Sequence, residues 1–550
     1  MAVKAPGGPT AHEDTFATDR LPDAALWPDF DYSGTPELGR LPGRLNAAAE
    51  LLDRNIALGN GGRPVLHFQD VSWSYDDLLR RANQIARVLT EDCRLRTGGR
   101  VLLRAPNTPM LVACWLAVLK AGGICVTSMA LLRAGELKYI IEKAAISHAL
   151  CDSDFGDALE EAQALNPGLE HILYFSAAGS APKAATLEAL ADAKPGDFTN
   201  VDTAADDVAL IAFTSGTTGE PKGTMHFHRD LIAAADCLPH SIARILPSDI
   251  ITGTPPLAFT FGLGGLTLFP MRYGASTRFV SDNAPAALLA AIQEHRITQL
   301  YTAPTAYRAM AEMAGDYDLS SLRQGVSAGE TLPKATWEAF FEATGIRLID
   351  GLGATELLHV FIAAAPNNMR PGFTGKAIPG YQARVVDADG ARLPTGTPGL
   401  LAVKGPTGCR YIDDEARQKD YVRDGWNYPG DIYEEDADGY FRYISRADDM
   451  IISAGYNIAA PEVEAALLEH ADVAECAVIG VADTARTNIV KAFVVLRAGG
   501  EPVTAEGLQD FVKARIAPYK YPRAVEFVTE LPKTQTGKLQ RFKLRAAPET

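Results

Sequence analysis

Six apolar residues, Val208-Ala209-Leu210-Ile211-Ala212-Phe213, run directly into Thr214-Ser215-Gly216-Thr217-Thr218-Gly219-Glu220-Pro221-Lys222-Gly223. The apolar run reads as a buried strand. The ten residues after it carry four hydroxyls, three glycines and one lysine. Glycine lets backbone N–H groups turn toward an anion. Hydroxyls donate to phosphate oxygens, and the lysine adds a positive charge on a flexible stem. Such a loop is built to hold a polyphosphate. The loop is not of the Walker A type, in which Gly-Lys is followed by Ser or Thr. Taken alone, a plain hydrophilic turn is the alternative.

At 550 residues the chain is longer than one core usually serves, so two or more domains are expected. Acidic residues outnumber basic ones, 68 against 52, a net charge of −16. That balance argues against bulk binding of nucleic acid or anionic membrane, which calls for basic surfaces. Seven cysteines, at 93, 114, 125, 151, 237, 409 and 476, are scattered and include no Cys-x-x-Cys pair. They read as reduced thiols of a cytoplasmic protein. Met1 to Asp19 lacks the apolar stretch of a signal peptide. The apolar run Met110 to Leu119 is too short to span a bilayer and reads as a buried helix ending near Gly122-Gly123.

Residues 1–30 are polar and proline-rich, the pattern of an arm without much internal structure. Beyond them strand-like and helix-like runs alternate. Ser74-Tyr75-Asp76-Asp77 forms a helix-capping pattern ahead of an apolar face of Leu78, Ala82, Ile85 and Leu89. Val101-Leu102-Leu103 and Ile124-Cys125-Val126 read as strands. Such alternation predicts parallel sheets covered by helices. Residues 374–443 read as short β-like pieces, and a boundary falls near Ser445–Asp449. After it come a helix opened by Pro461, strands at Ala474–Val481 and Val490–Leu496, a helix Ala505–Ile516 and a strand Val525–Val528. These make a small α+β unit. The expected division is residues 1–447 and 448–550.

Downstream of the loop stand Ser327-Ala328-Gly329-Glu330, Asp350-Gly351-Leu352-Gly353-Ala354-Thr355-Glu356, Gly430-Asp431, Ser445-Arg446-Ala447-Asp448-Asp449-Met450 and Pro532-Lys533-Thr534-Gln535-Thr536-Gly537-Lys538. In this order and spacing they resemble the adenylate-forming superfamily of acyl-CoA synthetases, carrier-protein adenylation domains and luciferases. Within it the chain looks most like the benzoate and 2-aminobenzoate (anthranilate) CoA ligases. The resemblance implies a large N-terminal α/β body of parallel sheets with helices and a β-like subdomain, followed by a small mobile C-terminal domain. It implies a carboxylic acid activated by ATP as an acyl-adenylate, then transferred to the thiol of coenzyme A. A carboxylate must meet a polyanion in the first step, so catalysis is charge neutralisation and positioning.

The resemblance also distributes roles. Lys222 and Lys538 supply cationic charge, Thr355 touches phosphate, and Glu356 helps hold Mg²⁺. A helix N-terminal position is the alternative reading of Glu356. Nucleotide contacts fall to Thr214, Ser215, Gly216, Thr217, Thr218, Gly219, Gly329, Glu330, Asp350, Gly351, Leu352, Gly353 and Arg446. Asp431 takes the ribose hydroxyls, since a carboxylate accepts two hydrogen bonds. Here Pro429 precedes Gly430 and offers no N–H. Asp448 is the hinge about which the small domain turns, bringing Gly455 and Tyr456 toward the pantetheine path. The acid site falls on Phe259, Thr260, Phe261, Tyr301, Ala328 and His359. Aromatic walls suit a flat ring, and His359 either hydrogen-bonds a ring substituent or packs. Pro256 to Gly262 contains no aspartate, and a buried α-ammonium would need one. An aniline nitrogen would not. A carrier-protein pantetheine is the alternative acceptor, and a monomer or homodimer is expected.

Overall fold

The computed structural model describes residues 8–176, 187–214, 221–453, 456–483, 487–497, 503–533 and 539–546. The chain forms two compact units, Met1–Ala383 with Val403–Asn427, and Arg384–Ala402 with Tyr428–Thr550.

The first unit holds two sheets. In the six-stranded one, His171–Phe175, His148–Asp152, Arg100–Arg104, Ile124–Ser128 and Val208–Thr214 run parallel. Arg100–Arg104 and Ile124–Ser128 are buried at every position, as strands covered on both faces require. Lys222–Phe227 then turns back antiparallel and sets Lys222 opposite Thr214. The second sheet has nine strands. Leu348–Gly353, Gln324–Ala328, Gln299–Thr302, Ile250–Gly253, Ser276–Phe279 and Pro64–Phe68 form its parallel centre. Val360–Ala363 and Val71–Ser74 flank it antiparallel.

The helices follow local chemistry. At Ser74 the side chain accepts from the N–H of Asp77 while the Asp77 carboxylate accepts from the N–H of Ser74. That reciprocal cap opens Tyr75–Arg87, and Leu78, Ala82, Ile85 and Leu89 are all buried. The apolar run expected as a buried helix is Pro109–Lys120, buried along its whole length. Even Lys120 is enclosed, its Nζ 2.7 Å from Asp53. Among the described residues no helix is long and apolar enough to cross a membrane.

The N-terminal segment departs from expectation. From residue 8 it packs on the body, with short helical turns at Thr18–Arg20 and Ala24–Leu26 and with Ala17 fully buried. Phe30 pairs with Gly405, and the rings of Trp27 and Phe30 lie 5.6 and 4.7 Å from the Arg410 guanidinium. A few aromatic anchors outweigh a polar composition.

In the second unit Pro461 lies in the first turn of the helix Ala460–Leu468. Val473–Asp483 and Thr487–Leu496 form an antiparallel pair, and Ala524–Phe527 joins the latter in parallel. The helix Ala505–Lys513 closes a core of Val463, Leu467, Val478, Val490, Leu508 and Val512. The hairpins Asp431–Glu435 with Phe441–Arg446, and Met450–Ser453 with Tyr456–Ala459, complete it. None of the seven cysteines forms a disulfide, and six are buried.

Candidate active site

Thr214 and Lys222 face each other on two antiparallel strands, and the hydroxyl- and glycine-rich segment lies between them in sequence. Ser215, Gly216, Thr217, Thr218 and Gly219 lie outside the described residues. Gly223 has a packing reason to be glycine. A Cβ there would stand 2.7 Å from Cγ2 of Ile412, because residues 410–412 pair antiparallel alongside it. The N–H of Ile412 donates to the Gly223 carbonyl at 3.0 Å, and the N–H of Met225 donates to that of Arg410 at 2.8 Å.

At the carboxyl ends of the parallel strands Ser327 stands beside Asp350, and Ala328 beside Gly351. Gly329 turns the chain at φ +89°, leading to half-buried Glu330. Burial pushes the Asp350 carboxyl up to about 8, although the Thr374 side chain and the Gly351 N–H work against it. Asp350 therefore acts at neutral pH as a hydrogen-bonding group more than as a charge. Leu352 and Gly353 end their strand, and a Cβ on Gly353 would lie 2.9 Å from the backbone of His359.

Thr355–Leu357 is one isolated helical turn. Glu356 consequently does not open a helix, and the macrodipole reading of it falls away. Three groups grip this turn. His226 Nε2 lies 2.8 Å from the Thr355 carbonyl. The Tyr411 hydroxyl donates to Oε1 of Glu356 at 2.6 Å. The Thr407 hydroxyl donates to the Leu357 carbonyl at 2.7 Å. No group of three His, Cys, Asp or Glu among the described residues makes a metal cage. A lone half-buried carboxylate suits Mg²⁺, which keeps water and substrate phosphate as most of its ligands.

Two family models match the chain: that of the AMP-binding enzymes over residues 53–410, and that of their C-terminal domain over residues 462–538. The chain belongs to the AMP-binding enzymes. It is an AMP-forming acid–thiol ligase, close to the aryl-CoA ligases within that family. It is 34% identical to the benzoate–CoA ligase of Thauera aromatica, covering 94% of this chain and 99% of the relative. It is 29% identical to a 3-hydroxybenzoate–CoA ligase of Aromatoleum sp. (strain CIB), over 92% and 97%. A crystal structure of the anthranilate CoA ligase AuaEII with anthranoyl-AMP matches with a TM-score of 0.87 at 34% identity, covering 92% of this chain and 98% of that one.

In this AMP-binding enzyme the segment expected to wall the acid packs closely. Phe259 is half-buried, and Thr260 begins the turn Thr260–Leu263. A Cβ on Gly264 would strike His359, and one on Gly265 would lie 2.6 Å from the Tyr301 ring. Those two glycines let both rings close on Phe261, with centroids at 6.0 Å for Tyr301 and 5.7 Å for His359. Phe269 adds an edge-on contact to His359 at 4.4 Å. His359 is 3% exposed, and its Nε2 lies 3.4 Å from the Phe261 carbonyl. Burial pushes this imidazole down to about 3, so it is neutral. Burial likewise raises the Tyr301 phenol. Among the described residues, Tyr301 Oη and His359 Nδ1 are buried without a hydrogen-bond partner.

The second unit brings Asp431 and Arg446 opposite each other in one hairpin, 3.0 Å apart. Arg446 Nη1 also donates to the Pro429 carbonyl at 2.9 Å. Pro429, which has no N–H to offer, takes part through its oxygen. Asp448 lies in the turn Ala447–Asp449, and Tyr456 opens the strand Tyr456–Ala459. Gly455 and Lys538 lie outside the described residues. The described ends of the Lys538 segment meet, with Lys533 bridged to Leu539. Basic residues near the C-terminal helix are engaged by acids: Lys513 with Asp510, Arg515 with Glu469, Lys520 with Glu462. His226, Thr407, Tyr411 and Phe269 were not singled out from the sequence, and no local pattern marks them.

Proposed function

We propose that this enzyme activates an aromatic carboxylic acid, 2-aminobenzoate or benzoate, and joins it to coenzyme A. The acid's carboxylate attacks the α-phosphorus of ATP, the bond to pyrophosphate breaks, and an acyl-adenylate forms. The thiolate of coenzyme A then attacks the acyl carbon and AMP leaves. The observation that carries the substrate class is the ring enclosure of Phe261, Tyr301, His359 and Phe269, beside a Pro256 to Gly262 segment without an acidic residue. It favours a flat ring and gives an α-ammonium no counter-charge.

Lys222 and the loop hydroxyls take phosphate oxygens, Thr355 adds a contact, and Asp431 takes the ribose with Arg446 beside it. Glu356 would hold Mg²⁺, which would supply neutralisation of phosphate charge. Lys538 accompanies adenylation. Rotation about Asp448, between residues 1–447 and 448–550, then exchanges it for the segment of Gly455 and Tyr456. A cytoplasmic setting with coenzyme A as acceptor fits this reading.

The test is pyrophosphate release over a panel of acids, followed by thioester formation with coenzyme A or carrier-protein pantetheine. Benzoate and 2-aminobenzoate should lead in kcat/KM, with coenzyme A as the better acceptor. Octanoate or an α-amino acid ahead of both would overturn the pocket assignment. A preference for the carrier protein would overturn the acceptor.

A further inference from the structure

The turn that presents Glu356 is held more firmly than a surface turn requires. Leu358 sits at φ +71°, ψ −42°, close to a strained three-residue turn that a side chain-bearing residue adopts only where its surroundings enforce it. The enforcing groups come from two segments. His226 belongs to the strand that begins at Lys222, while Thr407 and Tyr411 belong to the segment that pairs beside Gly223 and Thr224. The two segments also pair with each other, Thr224 bridging Tyr411. Lys222 and the carboxylate of Glu356 are thereby referenced to one piece of backbone.

Tyr411 is itself immobilised. It is 1% exposed, its ring stands edge-on to Tyr421 at 5.8 Å, and its N–H donates to Gln418 Oε1 at 2.9 Å. Its neighbour Arg410 is locked to Asp230. A phenol is protonated at neutral pH, so it serves as a donor.

We propose that Tyr411 is a positioning residue for adenylation: its hydroxyl holds Oε1 of Glu356 and so orients the carboxylate toward the divalent cation of MgATP. The inference rests on the reading of Glu356 as the Mg²⁺-holding residue. A carboxylate has more acceptor sites than one cation uses. Fixing one oxygen removes the alternative orientations of the other. Partners of this kind typically change metal affinity or activity by about 10- to 100-fold when removed.

Tyr411→Phe deletes the hydroxyl and keeps the ring. Calorimetric binding of a non-hydrolysable ATP analogue, with and without Mg²⁺ in the same preparation, reads the cation's contribution independently of turnover. The gain in affinity from Mg²⁺ should shrink by about tenfold. Binding without Mg²⁺, KM for the acid and thioester formation from supplied acyl-adenylate should not change. Partial unfolding would lower both binding measurements together and cannot mimic this. In Glu356→Gln, adding Tyr411→Phe should do nothing more. A Mg²⁺ gain that survives Glu356→Gln would overturn the reading of Glu356. A gain lost in Glu356→Gln but intact in Tyr411→Phe would overturn the positioning role alone.

Discussion

Each unit is organised around an arginine next to residues with a proposed part in catalysis, and the two arginines are set in different surroundings. In the first unit Arg410 meets Asp230 at 2.8 Å with both side chains 0% exposed. The ring of Phe227 lies 3.9 Å from the guanidinium. In the second, Arg541 meets Glu464 at 2.7 Å and Asp449 at 3.3 Å, with exposures of 20%, 13% and 10%. Arg545 reaches Asp449 as well. The dry pair adjoins Tyr411 and thus the grip on Glu356. The wetter cluster adjoins the proposed hinge Asp448 and follows the Lys538 segment. A water-free ion pair is rigid and little affected by salt, whereas a partly solvated one is screened and easier to rearrange. The fixed half of the chemistry is thus built on one kind of pair and the half proposed to move on the other.

The largest effect should come from breaking the dry pair. Arg410→Ala leaves Asp230 buried without its guanidinium partner, though the Phe227 N–H still donates to it at 2.9 Å, and losing that partner costs about 3–5 kcal/mol. Thermal unfolding should fall sharply and by the same amount at low and high salt. Replacing both partners by apolar residues of similar size should recover most of the loss. Recovery of stability without recovery of Mg²⁺-dependent ATP binding would show that the pair also sets the Glu356 geometry. A small, salt-dependent loss in the single variant would contradict the contrast between the units.

Lys538→Ala comes next and sharpens the comparison on the side of chemistry. Removing the charge proposed to act in adenylation should slow acyl-adenylate formation by about 10²–10³-fold. Thioester formation from supplied acyl-adenylate should persist. Asp448→Pro should do the reverse, since proline fixes φ: adenylate forms and transfer to coenzyme A stalls. Half-reaction kinetics on both variants decide this, and equal losses in both steps would abolish the separation.

What was legible in the sequence was local. The strand ahead of the loop, the Ser74 cap, the buried helix of residues 109–120 and Pro461 at a helix start each carry their signal within a few residues. The grips on the site do not. Tyr411 is 55 positions from Glu356, His226 is 129 from Thr355, and Arg410 is 180 from Asp230. A tyrosine in Cys409-Arg410-Tyr411-Ile412 looks like any strand residue until it is seen to pair with Thr224 and to reach Glu356. The N-terminal segment misled for a related reason: composition averages out the Trp27 and Phe30 anchors that dock it. The proposed acid-site residues rest on family resemblance, a route that passes over Phe269, which lies beyond the motif.

The solvated cluster predicts a smaller and tunable effect. Arg541→Ala leaves Glu464 with the Val478 N–H as a partner at 2.8 Å, and leaves Asp449 with Arg545 at 2.5 Å. The expected loss is about 1–3 kcal/mol, smaller at high salt as solvated charges are screened. Thermal unfolding of the full-length enzyme at two salt concentrations measures it. Salt-independence would place this cluster with the dry kind.

The smallest effect concerns ring choice within the rigid half. His359 Nδ1 has no partner among the described residues, and a 2-amino group on the substrate would satisfy it. Losing one neutral hydrogen bond is worth about 1 kcal/mol, or roughly fivefold. His359→Ala should therefore narrow the kcat/KM preference for 2-aminobenzoate over benzoate by about that factor, with KM for ATP unchanged. Because burial holds the imidazole down to about 3, its charge does not change between about pH 6 and about pH 9. The wild-type preference should accordingly be flat over that range. A preference that shifts near the ordinary histidine pKa would mean that the ring is solvated when substrate binds. An unchanged ratio in His359→Ala would reduce His359 to a packing residue held between Phe261 and Phe269.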